Sequence, residues 1–166
     1  MSAGAIEAIK GAILLERRGW AFYSKVATTT KSESVREVFS SMAEEEKRHE
    51  EALSLHYSSL VRDGSLAAVT TLGQASDISG EILSRKVISE IDAAGYEAAA
   101  ISAAMAMEAS AEKYYRERAS EAGSGIEGDL FNWLADWEHG HLEMLAQMDR
   151  ALMEKIWFEN SFWPVI

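Results

Sequence analysis

Two short steps along this chain join a glutamate to a histidine three positions on: Glu46 to His49, and Glu138 to His141. Residues i and i+3 project from one side of an α-helix, so each pair can present a carboxylate and an imidazole to the same ion. One such pair would be unremarkable in a chain with 27 acidic residues and four histidines. Here there are two, and a further glutamate, Glu16 or Glu108, precedes each by the same interval. Glutamate and imidazole suit iron, manganese or zinc better than magnesium or copper(I). Four glutamates also balance two divalent ions while both histidines stay neutral. Without a cation, four carboxylates on core-facing stripes would repel one another and lose hydration.

The six residues belong to a duplication. A shift of 92 positions carries Glu16 onto Glu108, Tyr23 onto Tyr115, Phe39 onto Phe131, Ala43 onto Ala135, Glu46 onto Glu138, His49 onto His141 and Leu53 onto Leu145. Two copies with metal-type residues in register point to a site on a pseudo-twofold axis. Tyr23 and Tyr115 follow Glu16 and Glu108 by two helical turns on the same faces. Core packing, a hydrogen bond to a ligating carboxylate and a radical relay all stand open for them, with packing plus a hydrogen bond the favoured reading. His56 and His139 fall outside the repeat and are expected at the surface or in caps. Met105, Met107, Met144 and Met148 read as core filling, and Trp20, Trp133 and Trp137 as packing.

Positioning these residues requires helices. Apolar residues at three- and four-residue spacing predict a first helix over about 5–27, with Ile6, Ile9, Ile13, Glu16, Trp20 and Tyr23 on one face. A second, over about 32–61, carries Val35, Phe39, Met42, Glu46, His49, Leu53 and Leu60, and Ser32 stands ready to cap it. A third, over about 91–120, aligns Ala94, Ala98, Ile101, Met105, Glu108 and Tyr115. A fourth, over about 127–157, aligns Phe131, Leu134, Glu138, His141, Leu145 and Leu152. Short loops after the first and third predict two antiparallel hairpins. The segment 63–90 is too long for a tight turn and reads as a crossover along the bundle, its stretch SDISGEILSRKVISEI forming a short helix.

The fold class expected is therefore all-α, a four-helix bundle formed as one domain over residues 1–166. Its aromatic tail, 157–166, is expected to dock on the bundle or on a neighbouring subunit. Composition agrees: 48% of the 166 residues are hydrophobic and the one proline lies three positions from the end of the sequence. The absence of cysteine excludes disulfides, thiolate zinc sites and iron–sulfur clusters in this chain. No basic leader with an apolar run opens the sequence, and no run of about 18 apolar residues occurs. A cytoplasmic protein with no membrane partner is the expectation. A net charge of −11 opposes binding to phosphate backbones, so nucleic acid is not an expected partner either.

With Glu16 and Tyr23, Glu46-x-x-His49, Glu108 and Tyr115, and Glu138-x-x-His141 in place, the chain resembles the rubrerythrin branch of the ferritin-like superfamily over nearly its whole length. The resemblance implies two iron ions per chain held by Glu16, Glu46, His49, Glu108, Glu138 and His141, with manganese or zinc as substitutes. It also implies a homodimer or larger homo-oligomer. The activity implied is that of an oxidoreductase reducing hydrogen peroxide or oxygen; oxidation, handling and storage of iron is the alternative. Two features depart from the pattern. Rubrerythrins typically end in a four-cysteine rubredoxin site, lacking here, so electrons would come from a separate donor protein. They also tend to carry an extra carboxylate one turn after the third-helix ligand, where this chain has Ala111, with Glu112 beside it. Glu112 would replace it only through a local distortion of the helix.

Overall fold

A computed structural model describes residues 3–66, 90–91 and 95–159. Four helices form the all-α bundle of the ferritin-like fold: α1 (Ala3–Thr29), α2 (Glu33–Asp63), α3 (Tyr96–Ala122) and α4 (Ile126–Glu159). Ser32 caps α2, its extended backbone letting the hydroxyl accept a hydrogen bond from the Val35 amide at 3.2 Å. Arg36 reaches back to donate to the carbonyls of Ala27 and Thr30, satisfying acceptors at the end of α1. Gly64 ends α2 in the left-handed conformation, with φ 76°, and its amide donates to Leu60.

The backbones of α1 and α2 run close together, as do those of α3 and α4, so each pair forms the expected hairpin. Glu90 accepts hydrogen bonds from Ser32 and Ser34 at the start of α2, whereas the chain leaves α2 at Gly64. The two ends of the inter-hairpin segment therefore lie at opposite ends of α2, as a crossover requires. Its short helix, expected within 76–91, lies largely outside the described residues, as does most of the aromatic tail; Trp157 and Phe158 at its start are exposed.

Two expectations need correction. The third helix begins at Tyr96, not near Ile91, because Gly95 takes an extended conformation as its N-cap; Ile91 is buried in the core. On α1 the buried stripe runs through Ala5, Ile9, Ala12, Glu16, Gly19, Tyr23 and Val26, whereas Ile6 and Ile13 are half-buried and Trp20 is 45% exposed. Small residues lie where helices approach most closely, so the stripe keeps Ile9, Glu16 and Tyr23 but shifts from Ile6, Ile13 and Trp20 toward the alanines and Gly19.

The core divides in two. One cluster gathers Tyr23, Phe39, Met42, Ile101, Leu145 and Met148, the other Ile9, Leu53, Tyr115, Phe131 and Leu134. The shift of 92 exchanges the clusters: Tyr23, Phe39 and Ala43 lie in one and Tyr115, Phe131 and Ala135 in the other, while Leu53 and Leu145 trade places the opposite way. Between the clusters lie the charged residues. Among the described residues, no helix is long and apolar enough to cross a membrane.

Candidate metal centre

Each helix contributes to the middle of the bundle. Glu16 comes from α1, Glu46 and His49 from α2, Glu108 from α3, and Glu138 and His141 from α4, and all six are at least 96% buried. Their ligand atoms fall into two overlapping groups, Glu16–Glu46–His49–Glu138 and Glu46–Glu108–Glu138–His141, with the atoms in each within 4.8 Å of one another. Glu46 and Glu138 are common to both groups. Each group then has its own glutamate and its own histidine, so each could hold an ion. All six sequence-predicted ligands are thus brought together.

The electrostatics show how poorly the cluster tolerates being without a cation. Burial, with the charges of the neighbouring glutamates, pushes the carboxyls of Glu46 and Glu138 well above the usual range. For Glu16 burial acts in the same direction, but the hydrogen bond and charge of His49 together with hydrogen bonds from Glu46 and Tyr115 outweigh it, and the net shift is downward. Glu108 is lowered against burial by Glu138, His141 and Tyr23. His141 is raised well above its ordinary value, because the carboxylates of Glu108, Glu138 and Glu45 overcome the effect of burial.

Within the cluster two buried atoms remain without a hydrogen-bond partner, Glu138 Oε2 and His141 Nδ1. His141 Nδ1 stands 3.5 Å from Glu108, and 3.7 Å from both Glu46 and Glu138. Orphaned buried polar atoms call for an explanation, and a cation among them supplies one. The donor set and its geometry therefore fit metal ions.

The tyrosines cross between halves. Tyr23 donates to Glu108 and Tyr115 to Glu16, both fully buried, so each hydroxyl braces the first glutamate of the other repeat. Burial and the adjacent carboxylates raise both phenols well above their ordinary range, which keeps them protonated as donors. Packing and hydrogen bonding coexist, as favoured.

Residues 7–148 match the rubrerythrin family. The chain belongs to the rubrerythrin family. No curated protein and no solved structure matches it. Family membership and the buried glutamate–histidine cluster agree on a centre able to hold metal ions, in a family that typically binds iron.

Several residues around this rubrerythrin centre escape a reading of the sequence. Glu45, 1% exposed, accepts a 2.7 Å hydrogen bond from Nε2 of His141 and so leaves Nδ1 directed at the carboxylates. Gly19 matters by absence, since a Cβ there would meet the Glu46 carboxyl at 2.9 Å. Trp133 and Trp137 set their rings edge-on against His49, with centroids 5.3 and 5.0 Å away. His56, expected at the surface or in a cap, is buried, and burial lowers its basicity. His139 is exposed, as expected, 3.2 Å from Glu112. Helix α3 continues undistorted past Ala111, and Glu112 points toward His139 and Arg116 rather than toward the centre.

Proposed function

We propose that this rubrerythrin-family protein is a non-haem di-iron oxidoreductase that reduces hydrogen peroxide or oxygen with electrons from a separate donor protein. The observation that carries the reading is the pair of overlapping four-residue groups sharing Glu46 and Glu138. When bound, two irons supply one electron each and neutralise charge on both oxygens of a substrate. The remaining tasks fall to the chain. Glu16 and His49 would hold one ion and Glu108 and His141 the other, with Glu46 and Glu138 between them. Tyr23 and Tyr115 keep Glu108 and Glu16 oriented through their hydroxyls. Glu45 retains the proton on Nε2 of His141, and Trp133 and Trp137 exclude water from the ring of His49.

The test is anaerobic loading with ferrous iron, metal analysis, then stopped-flow mixing with peroxide. About two irons per chain and oxidation at least about tenfold faster than in Glu46→Ala are expected. Equal rates in the two proteins would refute peroxide reduction. Slow reaction with oxygen alone, together with assembly into a many-subunit shell, would favour iron handling.

A further inference from the structure

Over the carboxylate side of the centre, between α1 and α3, lies a cavity of about 600 Å³. We propose that it seats the apolar tail of an alkyl hydroperoxide, making such a compound, rather than hydrogen peroxide, the preferred substrate; the inference rests on the peroxide reading above. Its floor is formed by Glu16, Glu46, Glu108 and Glu138, and neither ligand histidine lines it. A molecule entering here would meet the ions on the side away from the imidazoles.

The walls are apolar where the floor is not. Leu15, Phe22, Ala103, Ala106 and Met107 line them, with Arg18 and Ser110 as polar residues. A predominantly apolar pocket of several hundred Å³ with a few convergent polar groups is typical of a site for a small organic ligand. Water takes up about 30 Å³ per molecule, so hydrogen peroxide, with two heavy atoms, would leave most of the space unused. Each methylene of an alkyl tail laid against the walls would strengthen binding about fourfold.

The space is kept open by what the helices lack. Gly19 and Ala111, equivalent under the shift of 92, both line the cavity, and Glu112 is turned away to Arg116 and His139. At position 111 the helix therefore offers the cavity only a methyl group. Tyr114, by contrast, is spoken for: its hydroxyl donates to the Ala8 carbonyl at 2.9 Å, and its ring lies under the Arg118 guanidinium. The open space therefore extends toward Phe22 and Ala103 instead.

The reaction balances as ROOH plus two electrons and two protons giving ROH and water. The O–O bond breaks, the alkyl oxygen leaves as the alcohol and the other oxygen as water. A reduced one-electron carrier protein supplies the electrons through the centre, and solvent supplies the protons.

Binding can be separated from turnover with the full chain loaded with zinc, which is redox-inert. Calorimetric titration with octan-1-ol, the product of octyl hydroperoxide, is expected to show one saturable site. Ala106→Phe and Ala103→Phe, exposed helix positions that fill the cavity, should weaken it at least about tenfold with zinc content and helicity retained. In the iron-loaded protein, kcat/KM should rise from ethyl to octyl hydroperoxide, and this slope should flatten in Ala106→Phe. Absent or unsaturable binding of octanol, or binding by both variants as tight as by the parent, overturns the proposal and leaves the peroxide reading standing. Saturable binding without oxidation by any peroxide overturns the substrate assignment through failure of the peroxide reading itself.

Discussion

His49 and His141 are equivalent in the repeat, but their supports are not. His141 donates to Glu45; the position equivalent to Glu45 is Trp137, whose ring lies 5.0 Å from that of His49. A carboxylate behind an imidazole raises its basicity as a ligand and fixes its tautomer, whereas an indole edge contributes packing alone. The two halves of the centre should therefore bind unequally. Glu45→Ala should weaken one ion of the pair by about 10–100-fold and the other much less, as read by competition with a chelator. Equal weakening of both ions, or of neither, would contradict this asymmetry. The same residues predict that metal binding releases protons. Glu46, Glu138 and His141 are all held above their ordinary pKa values, so metal ions compete with protons for them. Loading should therefore release protons, and affinity should rise with pH. Calorimetry in buffers of different ionisation enthalpy measures the number released, and a release of none would refute it.

Helix α2 shows what the sequence makes legible and what it hides. Glu46 and His49 stood out because each interrupts an apolar stripe, and because the second copy repeated the interruption 92 residues later. Glu45 lies within the run Glu44-Glu45-Glu46, where nothing marks the middle residue as buried; its role depends on α4 passing close by. Gly19 and the rotated face of α1 were hidden for a related reason, because contact between helices is made by small residues that a hydrophobic pattern underweights. His56, four residues before Leu60 on α2, belongs to the same class of surprise. Its Nδ1 is buried without a partner, and burial lowers its pKa from 6.5. The folded protein therefore resists a proton that the unfolded chain accepts, so this contribution is favourable above about pH 6.5 and is lost as pH falls through the depressed folded value. His56→Leu should gain stability over the parent between about pH 7 and about pH 5.5, and its advantage should widen as pH drops. Thermal denaturation across that range measures the widening, and a constant difference would show that protonation of His56 does not govern it.

At the scale of the molecule, the centre lies between two apolar clusters and between two hairpins. Packing within each hairpin is close along the backbone, whereas α1 and α3 approach each other at few positions and leave a cavity between them. Among the contacts that join the halves are the crossed tyrosine–glutamate bonds, the Tyr114–Ala8 and His141–Glu45 hydrogen bonds, the two apolar clusters and the six residues able to share ions. Bound ions would act as a staple between hairpins, while the metal-free protein would bring mutually repelling carboxylates together at the same place. Any ligand that binds only the folded state adds about 2.7 kcal/mol at a free concentration 100 times its Kd, so two ions should raise Tm markedly. The location of the effect discriminates more sharply than its size. Removing metal should speed amide exchange most in the turns of all four helices that carry Glu16, Glu46, Glu108 and Glu138, and least near Ser32 and Gly64, where α2 is capped by the chain itself. Uniform acceleration would mean that the ions stabilise the fold as a whole without specifically joining its halves.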